Sequence, residues 1–230
     1  MKILALDTAT PLASIAATED GRLLGEIALV AARGHSENLL GALRYLHSRL
    51  GWGKNEPDLF IATAGPGSFT GLRIGIGTVR GLALAAGRPA AGVSTLAAMA
   101  AGLGAPRIRL APVLDAGRGE VYAGLYSGED PPRLLGREIV IKPRQLMLVL
   151  GDEPTLAFGS GVQRYRSELE DALGKGTRLL FWEAPLAAPA ARLAGRLLEE
   201  GASFSDLPLS ARYIRRSDAR LPIDYDQRGA

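Results

Sequence analysis

Residues 2–30 read KILALDTATPLASIAATEDGRLLGEIALV, and this stretch decides the architecture. Residues 2–7 are a short apolar, strand-like run that ends in Asp7-Thr8. Residues 12–18 are a second run of strand length, and residues 22–30 are a third. Between the last two, Glu19-Asp20-Gly21 is a tight hairpin signal, because Asp-Gly accepts the positive φ that such turns demand. Three strands joined this closely make an antiparallel meander. A βαβ unit needs a crossover of a dozen residues or more, and none fits here.

Working outward, leucines at 39, 40, 43, 46 and 50 repeat at helical spacing behind Ser36, so the first helix is predicted over residues 36–50, stopped by Gly51 and Gly53. Residues 58–64 read as a strand, residues 69–86 as a second helix, residues 90–93 as a short strand, and Ser94 as the cap of a third helix. Gly102-Leu103-Gly104-Ala105-Pro106 then punctuates the chain. After it the pattern restarts. Residues 110–115 are apolar and end in Asp115, residues 119–126 and 133–141 are strand-like, and residues 145–150 form a short helix. A strand at 155–158, a helix at 162–173 and a helix at 189–201 complete it. A meander plus helices, made twice, resembles the actin-like α/β architecture, with residues 1–103 as one subdomain and 104–230 as the other.

Composition narrows the function. The chain has 230 residues, 47% apolar and 22% charged, which is a globular balance. No apolar run approaches the roughly 20 residues of a membrane span, and the first apolar stretch is too short for a signal peptide, so a cytoplasmic protein is expected. The absence of Cys excludes a disulfide scaffold, a thiolate zinc site and a cysteine nucleophile. A charge of +3 is too mild to announce nucleic-acid binding. Lys stands only at 2, 54, 142 and 175, so Arg supplies 23 of the 27 basic residues. That bias, with abundant Ala and Gly, fits a GC-rich genome, and Arg is also the better residue for bidentate anion contacts.

The sharpest motif is Gly65-Pro66-Gly67-Ser68-Phe69-Thr70-Gly71-Leu72-Arg73-Ile74-Gly75, between a strand and a helix. It lacks the Lys-Ser/Thr of a phosphate-binding Walker loop and the spacing of a dinucleotide fingerprint. Two readings stand: a tight strand-to-helix turn capped by Ser68 or Thr70, or an anion site at the helix N-terminus. The helix carries Gly71, Gly75, Gly77 and Gly81, each costing about 1 kcal/mol relative to Ala, so something approaches it closely. The neighbour is either the sheet of the same subdomain or another subunit. Asp7 and Asp115 each end a strand, and each fits either a Mg²⁺-nucleotide site or a self-capped turn. Gly159-Ser160-Gly161 is an unspecific turn. His35-Ser36-Glu37 is a helix start, since catalytic groups converge in space rather than in sequence. Arg212-Tyr213-Ile214-Arg215-Arg216 is a basic segment with one aromatic, suited to RNA phosphate, to an acidic partner or to a solvated tail.

Six segments together resemble one family. They are residues 3–10, His35-Ser36-Glu37-Asn38-Leu39-Leu40, residues 65–75, Val93-Ser94-Thr95-Leu96, residues 114–122 and Arg212-Tyr213-Ile214-Arg215. In order and wording they are similar to the TsaB (YeaZ) family of tRNA threonylcarbamoyladenosine biosynthesis. The resemblance implies the actin-like fold and a non-catalytic scaffold that pairs with a TsaD-type transferase. A TsaE-type ATPase docks on the pair, a homodimer mimics it, and tRNA is touched indirectly. It implies no catalytic residue, no metal and no cofactor. Asp7, Thr8 and Asp115 would be the remnant of a nucleotide site. Aligned on Val93-Ser94, the two His of the TsaD metal pair fall at Thr95 and Met99, a poor and a soft ligand. The pairing surface implied is the first two helices, through Leu39, Leu43, Gly71, Arg73, Gly75, Ile76 and Arg80. A nucleotide-hydrolysing actin-like enzyme is the alternative. A peptidase is disfavoured by the absence of His-Glu-x-x-His, of Cys, and of any His after His47.

Overall fold

The computed structural model describes residues 1–30 and 35–215; the side chains of residues 35–38, with the expected Ser36 cap, and Arg216 lie outside the described part. The chain opens with β1 (Lys2–Asp7), β2 (Leu12–Glu19), β3 (Arg22–Val30) and α1 (His35–Leu50). β4 (Leu59–Thr63), α2 (Phe69–Ala86), β5 (Ala90–Val93) and α3 (Thr95–Gly102) follow. These strands form one sheet in the order β3-β2-β1-β4-β5, antiparallel through the meander and parallel from β1 to β5.

The second half repeats the plan. It contains β6 (Arg109–Gly117), β7 (Glu120–Ala123), β8 (Ile139–Ile141), α4 (Met147–Leu150), β9 (Thr155–Phe158), α5 (Ser160–Arg164), α6 (Arg166–Ala172), β10 (Thr177–Leu180) and α7 (Ala187–Glu199). Its sheet runs β10-β9-β6-β7-β8, again a meander followed by parallel strands. The doubled α/β plan expected from the sequence is therefore present.

Some elements differ from expectation. The third strand of the second meander is only Ile139–Ile141, because Leu134 makes just an isolated bridge to Tyr126. The helix expected over 162–173 is broken at Tyr165, whose φ of −115° and ψ of 28° leave the helical region. A 3-10 turn over Pro143–Gln145 precedes α4. β10 pairs parallel to β9 and was not anticipated.

Side chains alternate across a strand, so each strand of the first sheet feeds two cores. Leu4, Leu6, Phe60 and Ala62 face Leu39, Leu43 and Leu46 of α1 and Leu72, Ile76 and Val79 of α2. Ile3, Ala5, Leu59 and Ile61 face the other way, onto α3 and onto Ala187, Ala190, Ala191 and Ala194 of α7. Burial on both faces explains why these strands read as unbroken apolar runs. It also corrects the placement of α7: a subdomain of residues 104–230 puts α7 with the second half, whereas it packs on the first sheet.

The contact of α7 is specified by polar groups as well. The first N–H groups of a helix lack partners within it. Here Ser14 Oγ accepts from Leu186 N at 3.1 Å and from Ala187 N at 3.0 Å, and Glu26 Oε1 accepts from Ala188 N at 3.0 Å. A strand side chain thus caps a helix some 170 residues further on. Ser14→Ala is expected to cost about 1–2 kcal/mol, read as a lower denaturant midpoint at unchanged slope. An unchanged midpoint would mean that water caps α7 equally well.

Candidate functional site

A cleft of about 1090 Å³ lies between the two halves. Residues 9–11 and 67–69 form one wall, residues 114–118 with Tyr122, Ser160, Gln163 and Arg164 form the other, and residues 212–215 close one side. Of the two aspartates, Asp7 stands behind the first wall and Asp115 is part of the second.

Asp7 is 0% exposed. Ala9 N donates to its Oδ1 at 3.0 Å, Thr10 Oγ1 donates to Oδ2 at 2.8 Å, and the Thr63 hydroxyl donates to Oδ1. Burial pushes its carboxyl above the ordinary aspartate value, against the lowering effect of these donors. Asp7 is among residues sealed from the cleft and serves as the hub that ties the β1–β2 turn to β4. Thr8 is turned the same way: its Oγ1 donates to Gly71 O at 2.7 Å, and it too is buried.

Asp115 reaches the cleft but is engaged. Gly117 N donates to its Oδ1 at 2.9 Å, Tyr165 OH donates to the same oxygen at 3.2 Å, and Arg164 Nη1 lies 3.1 Å from Oδ2. Its own N–H donates to Ser160 Oγ at 3.2 Å. Neither carboxylate is therefore left open toward a cation, and among the described residues no cluster of three His, Cys, Asp or Glu is poised for a metal.

The glycine-rich turn is a capped strand-to-helix turn packed closely on its own sheet, and its start also faces the cleft. Ser68 Oγ accepts from Gly71 N at 3.2 Å and caps α2. A methyl group at Gly71 would stand 1.9 Å from Thr8 O, and one at Gly75 would stand 2.3 Å from Thr8 Oγ1. Both glycines let α2 lie directly on the β1–β2 turn, so their close neighbour is the same subdomain. Leu39, Leu43 and Ile76, also expected at a pairing surface, point into the core beneath β1 and β4. The helix periodicity identified the apolar stripe but not its direction.

Arg73 and Arg80 are exposed, and both hold the chain's own C-terminal segment. Arg80 Nη2 donates to Leu209 O at 3.0 Å, and Arg73 Nε donates to Tyr213 OH at 3.4 Å while its guanidinium stacks 3.9 Å above the Phe69 ring. This strap, residues 203–215, runs over the first half and then crosses to the second. Gly92 N donates to Leu207 O at 3.0 Å and Arg212 N to Ala64 O at 2.7 Å. At its far end Arg215 donates to Ala116 O at 3.0 Å and Gly117 O at 3.3 Å, and pairs with Glu120. The Arg212-Tyr213-Ile214-Arg215 run is thus a latch over the cleft rather than a solvated tail. Nothing in the sequence distinguished these roles.

What α1 and α2 do present outward is Leu40, 50% exposed, with Gly41 and Tyr45 on α1, and Gly77, Gly81 and Leu84, 84% exposed, on α2. Nothing lies within 4 Å of a methyl group built at Gly41, Gly77 or Gly81. Thr95 and Met99 are buried, Met99 inside an apolar cluster with Leu96, Leu114 and Phe158.

A family model described as TsaD, tRNA N6-adenosine threonylcarbamoyltransferase, matches residues 23–157. The Escherichia coli tRNA threonylcarbamoyladenosine biosynthesis protein TsaB is 34% identical over 96% of this chain and 99% of its own. The chain belongs to the TsaB (YeaZ) family. The solved structure of YeaZ from Pseudomonas aeruginosa agrees: TM-score 0.78, 32% identity, 92% of this chain and 99% of that one. A ROK hexokinase from Thermus thermophilus, at TM-score 0.51 and 14% identity over 87% of this chain and 100% of that one, shares the fold alone.

Proposed function

We propose that this chain is a non-catalytic scaffold subunit that pairs with a TsaD-type transferase in forming N6-threonylcarbamoyladenosine in tRNA. A role in this modification is what the full-length match to TsaB supports. The observation that carries the scaffold reading is the state of the two aspartates. One is sealed and the other is tied to Arg164 and Tyr165, so the cleft offers no open carboxylate to a Mg²⁺-nucleotide. Thr95 and Met99 offer no metal pair either. A TsaE-type ATPase and a homodimer belong to the same reading, as does a cytoplasmic setting. Among the described residues, no helix is long and apolar enough to cross a membrane.

The pairing face of this reading is the outward side of α1 and α2. Leu40 and Leu84 supply apolar contact, and Gly77 and Gly81 let a partner helix approach closely. Gly77→Leu is expected to keep the circular dichroism spectrum of the parent with an equal or slightly higher thermal midpoint, since the position is open and helical, and to weaken pairing at least about tenfold by overfilling the contact. The measurement is size-exclusion chromatography with light scattering, alone and with the TsaD-type subunit of the same source. Normal pairing by the folded variant would move the interface elsewhere. No complex with the parent protein at micromolar concentration would overturn the scaffold reading.

A further inference from the structure

We infer that the mouth of the cleft, with the strap across it, is a docking site for a single-stranded RNA segment, bound through its phosphates and one stacked base. The inference rests on the proposed role only in taking RNA as the polyanion. Its chemistry comes from the cleft itself. Four arginines line the cavity, Arg118, Arg164, Arg212 and Arg215, against one lining carboxylate, Asp115, and Glu120 just behind the lining, which pairs with Arg215. Asp115 is already paired with Arg164, whose side chain is still 62% exposed. Asp7, the other acid at this place in the fold, is sealed away. The wall facing solvent is therefore cationic and has no acidic group free to hold a divalent ion, which suits a phosphodiester better than a metal-bound triphosphate.

The second observation is aromatic. Phe69 and Tyr213 are 47% and 48% exposed at the same mouth, their ring centroids 5.2 Å apart and tilted by 36°. Arg73 lies over the Phe69 ring. Half-exposed rings beside arginines that track a groove are what single-stranded nucleic acid uses: stacking for bases and cations for the backbone. A duplex presents no free base face and does not enter a cleft of this size. The strap is held at both ends, by Ala64 and by Glu120 with the carbonyls of Ala116 and Gly117, so Arg212 and Tyr213 are presented on an anchored segment.

The test is fluorescence anisotropy of the full chain with a labelled mixed-sequence single-stranded RNA, the same strand in duplex form, and MgATP as competitor. The single strand is expected to bind at low salt and the duplex at least tenfold more weakly. Arg212→Glu, at an exposed position, should lower affinity about tenfold and reduce the salt slope by about 1. The double variant Phe69→Ala and Tyr213→Ala should lower it about tenfold with the slope unchanged. Absence of binding by the parent, equal affinity in folded variants, or equal binding of the duplex would each overturn the inference. Displacement by MgATP at concentrations matching the RNA would make the site a nucleotide pocket instead. Light scattering of the same variants with the TsaD-type subunit separates the two proposals: intact pairing with no RNA binding sinks only this one, and the reverse sinks only the scaffold.

Discussion

Gly71→Ala is expected to destabilise the protein by about 3 kcal/mol or more, or to prevent folding. The added methyl would lie 1.9 Å from the carbonyl oxygen of Thr8 and 3.2 Å from Ser68 Cβ. The obstacle is backbone, and backbone that has nowhere to go. Thr8 is bonded to Gly71 O, Ala9 O accepts from Ser68 N at 2.8 Å, and Asp7 holds the turn from below. Overpacking of a core by a movable side chain costs about 1–3 kcal/mol, and a fixed carbonyl takes the cost to the top of that range or beyond. For a chain of this length 1 kcal/mol shifts the thermal midpoint by about 2–4 °C, so a fall of about 6 °C or more is expected. Gly77→Ala on the same helix is the control. It is exposed and unobstructed, and it should raise stability by up to about 1 kcal/mol. A Gly71→Ala midpoint within 2 °C of the parent would show that α2 does not sit on the β1–β2 turn as described.

The second large effect is at Asp7, where alanine and asparagine should part company. Asp7→Ala leaves the Thr63 hydroxyl, the Thr10 hydroxyl and Ala9 N without their buried acceptor, at a cost of about 3 kcal/mol or more. Loss of function in that variant therefore says nothing about catalysis. Asp7→Asn keeps the shape. Its Oδ1 can accept from Thr63 and Ala9, and its amide can donate to Thr10 Oγ1, which itself donates to Leu12 O at 3.2 Å. The carboxyl of Asp7 is raised by burial above its unfolded value of 3.8. A raised acid binds its proton more tightly when folded, so its contribution is fully present below the unfolded value and is lost as pH rises through the folded one. Asparagine has no such loss. Its stability relative to the parent should increase as pH rises above about 3.8, by denaturant titration at each pH. A constant difference would mean that Asp7 titrates like an exposed aspartate. In a reconstituted tRNA-modification assay Asp7→Asn should match the parent, whereas a Mg²⁺-ligating aspartate would lose activity on this change.

Local signals in the chain reported their own elements well. Asp20-Gly21 marked the β2–β3 hairpin, Ser94 capped α3, and the two apolar runs ending in aspartate were the first strands of two equivalent sheets. What was illegible depended on partners distant in sequence. Four residues of edge strand, Thr177–Leu180, carry too little alternation to stand out and exist because β9 supplies their hydrogen bonds. The alanines of α7 announce a helix but not which sheet it covers. The spacing of Gly71 and Gly75 required a close neighbour, and only the fold showed it to be Thr8. The same limit turned Leu39, Leu43 and Ile76 inward and left Leu40 and Leu84 unnoticed outside.

The return of α7 and the strap to the first sheet has a consequence for synthesis. The face carrying Ile3, Ala5, Leu59 and Ile61 is covered by α3 but finds the rest of its cover in residues 187–207, so the amino-terminal half leaves the ribosome with much of one apolar side wet. It is expected to mature only after nearly the whole chain has been translated. Nascent chains arrested near residue 110 should remain protease-sensitive, while chains arrested far enough on to expose α7 outside the exit tunnel should not.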